Sequence, residues 1–227
     1  MHLVSPSRDR WSICLAATLV LAALRGDPEE RPREVWARVG VLVNELAAPA
    51  LVLNLPAATD TLAGALCELA RQRGEPLQLS LRALLRDPPN WHVQGKTVFV
   101  CENSNVVSRV ADRLGAACAP LVCTDGMPSA SQRVLLQQLV AHGARLMYHG
   151  DFDWPGLGIA NFVIRRFGAQ PWRMGADNYR DLRGKRLSGP VVVASWDPEL
   201  TQRMASAGHV LEEEAVVDEL LDDLRLR

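Results

Sequence analysis

The chain has 227 residues and a formal net charge of −1, with 48% hydrophobic and 22% charged residues. That hydrophobic fraction supports a core of domain size and excludes a chain disordered over most of its length; the length suits one domain, or one with a smaller companion. No apolar run reaches the roughly 18 residues of a membrane-spanning helix, and the longest, Ile13 to Leu24, meets Arg25 without a small-x-small cleavage site, so it reads as a buried helix and not a secretory signal.

Residues 1–92 read as a mostly helical region, with helices at 12–24, 33–47 and 59–73 and a short apolar strand at Ala50–Leu55. Pro28, Pro32, Pro49 and Pro56 punctuate them. Asp87-Pro88-Pro89-Asn90 cannot continue a helix, which sets a boundary between residues 1–92 and a second domain, 93–227.

From Gly95 onward short apolar runs alternate with helical spacing. Thr97–Cys101 is a strand and Asn103–Leu114 a helix; Ala119–Cys123 is a second strand and Ser129–Ala141 a helix. Arg145–His149 is a third strand and Gly156–Phe167 a helix, with further strands at Gln170–Met174 and Val191–Ala194. This alternation predicts βαβ units and an α/β fold built on a parallel sheet with flanking helices. Val210–Leu224 closes the series as a helix, because Val210, Leu211, Val217, Leu220, Leu221 and Leu224 fall largely on one face.

Charge is unevenly distributed along this order. Residues 212–223 hold seven acids and no base, so the rest of the chain carries 19 acids against 25 bases. Between Arg165 and Arg186 there are seven bases, Arg173 among them, against Asp177 and Asp181. Such a stretch can track a phosphate backbone, or it can be a solvated face. All bases but Lys96 and Lys185 are arginine, which suits phosphate but also follows from coding bias. The five cysteines show no metal-binding spacing and predict reduced, buried thiols in a cytoplasmic protein.

In an open parallel sheet, ligands bind outside the carboxyl ends of the strands. Glu102 follows the first strand of the series, Asp125 the second, and Asp151 and Asp153 the third. Residues two apart in extended chain share a side, so the two aspartates can converge, and Glu102 joins them if the first and third strands are neighbours. Three carboxylates that close repel one another unless a cation lies between them, and oxygen-only ligands suit Mg²⁺ or Mn²⁺. Glu102, Asp151 and Asp153 are therefore the candidate metal ligands and catalytic residues. Asp125-Gly126 is by itself a turn signal. Gly156, in the first turn of the next helix, offers a backbone N–H to phosphate, and His149 and Arg173 are further phosphate-binding candidates. His149 reads equally as a packed strand-end histidine, and Trp172 and Arg173 as strand residues.

These residues in this order resemble a Toprim domain, with its Glu after the first strand and Asp-x-Asp after the third. Gly126-Met127-Pro128-Ser129-Ala130-Ser131-Gln132-Arg133 and Asp151-Phe152-Asp153-Trp154-Pro155-Gly156 look like the topoisomerase VI A-subunit and Spo11 branch. Met127 stands there for an aromatic and Gln132 for a threonine. Residues 93–224 are most similar to the C-terminal domain of the nuclease subunit in bacterial Wadjet-type plasmid-defence systems. The stretches YHGDFDWPG, QPWRMGADNY and EEEAVVDELLDDL carry that likeness.

The resemblance implies a Rossmann-like Toprim sheet, Mg²⁺ or Mn²⁺ as cofactor, and Arg133 as a phosphate contact. It also implies one of Glu212, Glu213 or Glu214 as a further acid near the site. DNA, an SMC-type ATPase complex with a kleisin-like subunit, and a second copy in a homodimer are the implied partners, with no membrane association. Such subunits have a longer N-terminal region, so the first 92 residues are expected to be a shortened or truncated version. The relatives that cut DNA through a tyrosine carry it upstream of the Toprim domain. The two tyrosines here, Tyr148 and Tyr179, both lie inside it, which predicts hydrolytic cleavage. The competing expectation is a non-catalytic DNA-binding or assembly subunit that keeps the fold. A haloacid-dehalogenase-like phosphatase is set aside, because there the Asp-x-Asp follows the first strand of the fold.

Overall fold

A computed structural model describes residues 45–226. The helix expected at 12–24 and all but the last three residues of that at 33–47 lie outside the described residues; 45–47 are turn and bend. A compact unit begins at Leu46.

Its centre is a six-stranded sheet formed by β1 (Ala50–Leu53), β2 (Leu77–Leu79), β3 (Thr97–Cys101), β4 (Leu121–Cys123), β5 (Arg145–Tyr148) and β6 (Gln170–Pro171), in the order β2-β1-β4-β3-β5-β6. β4, β3, β5 and β6 run parallel, while β1 is antiparallel to both β4 and β2. The helices are α1 (Leu62–Arg73), α2 (Leu81–Arg86), α3 (Ser104–Leu114), α4 (Ala130–Ala141), α5 (Trp154–Phe167), α6 (Pro198–Ala207) and α7 (Val217–Leu224). The fold is thus the expected α/β sheet flanked by helices. Val98, Val100, Cys101, Leu121, Val122 and Cys123 are all fully buried, as strands covered on both faces must be.

From β3 the chain steps to β4 on one side, then crosses back to β5 on the other. Right-handed crossovers in opposite directions place their helices on opposite faces; accordingly α3 packs with α7, and α4 with α2 and α5. That reversal at β3 opens a crevice at the carboxyl ends of β3 and β5.

Helix starts follow side-chain caps. Thr61 accepts from the Gly64 N–H, so α1 begins at Leu62 and not at 59. Asn103 caps α3 by accepting from Asn105 N, and Ser129 with Gln132 forms a capping box on α4. At the far end of α1, Gly74 (φ 68°) lies so close to the turn after α3 that a Cβ would sit 2.3 Å from Ala116 N.

Four expectations need correction. The division at residue 92 is not where the structure separates, because β1 and β2 are hydrogen-bonded into the same sheet as β3–β6. Besides the expected strand, the described part of 1–92 holds β2 and α2, which went unforeseen, being only three and six residues long. β1 stops at Leu53: Asn54 turns to φ 56° and donates to the carbonyls of Gly115 and Cys118. Val191–Ala194 is irregular, with Val191 and Val193 exposed and the backbone bonded to Asn161 and Thr201 side chains. The helix expected from Val210 begins as a 3-10 turn at Glu213, because Leu211 pairs with Phe152 in extended form.

Candidate active site

β3 and β5 are direct neighbours, with Val100 opposite Tyr148. Glu102 and the Asp151–Asp153 stretch therefore leave the sheet side by side. The Asp151 N–H donates to Glu102 Oε2 at 3.3 Å. Asp151 Oδ1 accepts from the Glu213 N–H at 2.7 Å, and Asp153 Oδ1 from the Gly156 N–H at 2.7 Å. Each of the three carboxylates is thus oriented by one backbone N–H, and Glu102 also has the Tyr148 side chain beside it. Gly150 makes the approach feasible: a Cβ there would lie 2.7 Å from Glu102 Oε2 and 2.8 Å from the Tyr148 hydroxyl.

Glu213 completes the cluster from the far end of the chain. Its carboxylate, fully buried, accepts from the Glu102 N–H at 3.1 Å and the Asn103 N–H at 2.7 Å. Of the three glutamates considered, it is the one that bonds the site directly; Glu214 accepts from Asn105 Nδ2 at 3.2 Å, and Glu212 is exposed.

The electrostatics follow from burial and like charge. Burial first, and then Asp151, push Glu102 up to about 7. Asp151 is raised by burial and by Asp153, Glu214 and Glu212, against the lowering effect of the Glu213 N–H. Glu213 is held well above the usual carboxylate range by burial, although the Asn103 and Glu102 N–H groups oppose this. Protons or a cation would relieve such a cluster. Oxygen-only donors suit Mg²⁺, which binds through one or two carboxylates and completes its shell with waters and substrate phosphates. Among the described residues, no three His, Cys, Asp or Glu side chains close into a ready metal cage. The oxygen-only donors present would hold a cation only with waters or substrate oxygens completing its shell.

The other sequence candidates are placed differently. Asp125 (φ 51°) is exposed and Gly126 (φ 78°) half-buried in a bend tied to the Glu102 carbonyl through the Gly126 N–H. His149 is buried, with Nδ1 2.8 Å from the Trp172 carbonyl and its ring edge-on to Phe152 and Trp172. Burial lowers it to about 4, so it is a packed neutral imidazole and not a cationic phosphate ligand. Gly156 gives its N–H to Asp153, and Pro155 has none, so the start of α5 offers little to an anion. Arg133 donates to the Pro128 carbonyl and lies 4.4 Å over the Phe162 ring. Arg173 forms a two-point pair with Asp223, and Trp172 is buried against Phe99 with its indole N–H on the same Asp223. The structure thus brings together Glu102, Asp151 and Asp153, and gives His149, Gly156, Arg133 and Arg173 structural partners instead.

Sequence reasoning missed the placement of Tyr148. Fully buried beside Glu102, its hydroxyl has no hydrogen bond of normal geometry among the described residues. Period-two alternation put Tyr148 and Gly150 on one side of the extended chain, which was the available signal.

Over residues 77–224 the sequence matches the profile of a family described as "Protein of unknown function C-terminus (DUF2399)". No curated protein matches the chain. Among the described residues, no helix is long and apolar enough to cross a membrane.

Proposed function

The chain belongs to that family, and from this membership and the acid cluster we propose that it is a metal-dependent DNA endonuclease subunit built on a Toprim-type sheet. The wider setting we propose is an SMC-type anti-plasmid defence complex of the Wadjet kind, in which the chain acts on DNA in the cytoplasm. One observation carries the reading: Glu102, Asp151 and Asp153 emerge side by side at the carboxyl ends of adjacent parallel strands, each oriented by a backbone N–H. Glu102 and Asp151 would hold Mg²⁺ or Mn²⁺, with Asp153 fixing the turn into α5 and offering its second oxygen. A bound divalent cation supplies charge stabilisation for phosphoryl oxygens and acidifies water. Buried Glu213 holds the backbone of Glu102 and Asn103 in place. Tyr148 is fully buried, and the Tyr179 hydroxyl donates to the His209 carbonyl at 2.7 Å, so neither is set for attack on a phosphodiester. Water is the nucleophile in this reading.

The test is cleavage of supercoiled plasmid by the full chain, alone and together with an SMC-type ATPase complex of the proposed kind. Nicking or cutting should require Mg²⁺ or Mn²⁺ and leave no protein on the ends. Asp151→Ala and Glu102→Ala should abolish it with little loss of fold, while Tyr148→Phe and Tyr179→Phe should still cut. Cleavage that persists in EDTA, or ends that stay protein-linked after denaturation, would overturn the proposal. A second reading, a DNA-binding or assembly subunit without catalysis, is favoured by the absence of a closed three-ligand set among the described residues. It predicts metal-independent DNA binding and no cutting under any of these conditions.

A further inference from the structure

Beyond the acid cluster, an exposed charged feature is the irregular loop Arg180–Arg186, every residue of which is exposed. It carries Arg180, Arg183, Lys185 and Arg186 against one acid, Asp181. Arg180 is engaged with Glu219 at 2.7 Å, and Asp181 lies 2.9 Å from His209 Nδ1. Among the described residues, Arg183, Lys185 and Arg186 make no side-chain ion pair, in contrast to Arg173, Arg180 and Arg203.

The base of this loop is fixed beside the acid crevice. Val210 N donates to the Lys185 carbonyl at 2.7 Å and Leu187 N to the Gly208 carbonyl at 3.0 Å. On its other side the same extended segment exchanges two hydrogen bonds with Phe152, through Leu211. Alternate backbone groups of an extended chain point to opposite sides, so the segment lies between the loop and the Asp151–Asp153 stretch. The backbone at Lys185 is therefore two strand spacings, about 10 Å, from the backbone of Phe152, the residue between Asp151 and Asp153. Two residues beyond Leu211, Glu213 enters the site.

We propose that Arg183, Lys185 and Arg186 form the loop by which this chain holds a DNA phosphate backbone alongside the acid crevice. The assignment of DNA as the partner rests on the nuclease reading. Exposed, unpaired cations match the charge density of a duplex, about one charge per 1.7 Å of axis. The same phosphodiester chain, continuing into the crevice, can supply the oxygen ligands that an Mg²⁺ site of one or two carboxylates leaves open. An acidic protein surface would meet the repelling carboxylates with no such role.

Binding of the full chain to a mixed-sequence 30-base-pair duplex, followed by fluorescence anisotropy in EDTA across a salt series, tests the loop apart from the chemistry. The triple variant Arg183→Ala, Lys185→Ala, Arg186→Ala should bind about tenfold more weakly or worse. Its log-affinity against log-salt slope should be shallower by up to about three, each phosphate contact contributing about 0.9. The control is Lys96→Ala with Arg145→Ala, exposed cations at the amino ends of β3 and β5, which should leave the slope unchanged. An unchanged slope in the triple variant, an equal drop in the control, or tighter loop-dependent binding to an RNA duplex would each overturn the proposal. If the triple variant binds normally while Glu102→Ala still stops cutting, the loop assignment falls and the nuclease reading stands. Lost binding in the triple variant, with no metal-dependent cutting by wild type, gives the reverse.

Discussion

Glu102 is the residue whose behaviour separates a strained apo site from an ordinary acidic surface. Its carboxyl is raised to about 7, first by burial and then by Asp151, against an ordinary value of 4.5. Between these two pH values the folded state binds more protons than the unfolded state, so stability falls as pH rises through the window. The full shift corresponds to roughly 3 kcal/mol, and Asp151 and Glu213 add in the same direction. In EDTA the melting temperature should therefore drop by several degrees from pH 5 to pH 8. Glu102→Gln should melt higher than wild type at pH 8 and show a flatter profile. Thermal melts decide this, and a Gln variant that melts lower at pH 8 contradicts the account. At this scale the sequence was informative where acids follow strands: Glu102, Asp151 and Asp153 meet as their positions required. It was silent on how polar groups are satisfied. Arg173, Arg133 and the Gly156 N–H looked available for phosphate, yet Asp223, the Pro128 carbonyl and Asp153 engage them. Such partners lie 3 to 50 residues away, and only the long-range ones needed the fold.

The turn that introduces α7 shows what an element can contribute from a distance. Glu213 packs a carboxylate against the end of β3, and Glu213 Oε2 alone accepts from both Glu102 N and Asn103 N. Glu213→Ala strands two backbone N–H groups at the site and should cost about 2–4 kcal/mol. Glu213→Gln retains a carbonyl oxygen for both donors and removes a charge that burial disfavours. It should match or exceed wild-type stability in denaturant titrations. If Gln costs as much as Ala, the charge itself is needed, and Glu213 acts on a cation and not on the backbone. The amphipathic pattern of Val210–Leu224 was legible, but the helix starts later than the pattern suggests. Leu211 fulfils its apolar position by pairing with Phe152 and not by joining a helix, and apolar spacing alone does not distinguish the two. β2 and α2 escaped for the opposite reason, since three and six residues are too few to display a period. The strand expected at Val191–Ala194 had β-branched composition but pairs with no strand among the described residues.

Across the whole molecule, the reversal of strand order at β3 sets an acid crevice beside an exposed basic loop, on a chain whose net charge is only −1. The parallel half of the sheet was legible from its alternation of strands and helices. β1 was legible as a strand but its place in this sheet was not, nor was β2 at all, because their antiparallel pairing with β4 and each other is a tertiary choice. On the proposed DNA partner the two charged features would act with opposite sign when no cation is present: the loop would attract phosphate, and the clustered carboxylates would repel it. A divalent ion removes the repulsion and takes phosphate oxygens as ligands. Calcium, used in place of Mg²⁺ under conditions where no cutting occurs, should therefore tighten wild-type DNA binding relative to EDTA, by about tenfold if one close charge repulsion of some 1.4 kcal/mol is relieved. Glu102→Ala removes part of the repulsion together with a ligand. In EDTA it should bind DNA as tightly as wild type or tighter, and it should respond little to calcium. Anisotropy titrations of both proteins, with EDTA and with calcium, give the four affinities required. Weaker binding by Glu102→Ala in EDTA would mean that the carboxylate contacts DNA by itself, and the crevice would then not be the cation site argued for above.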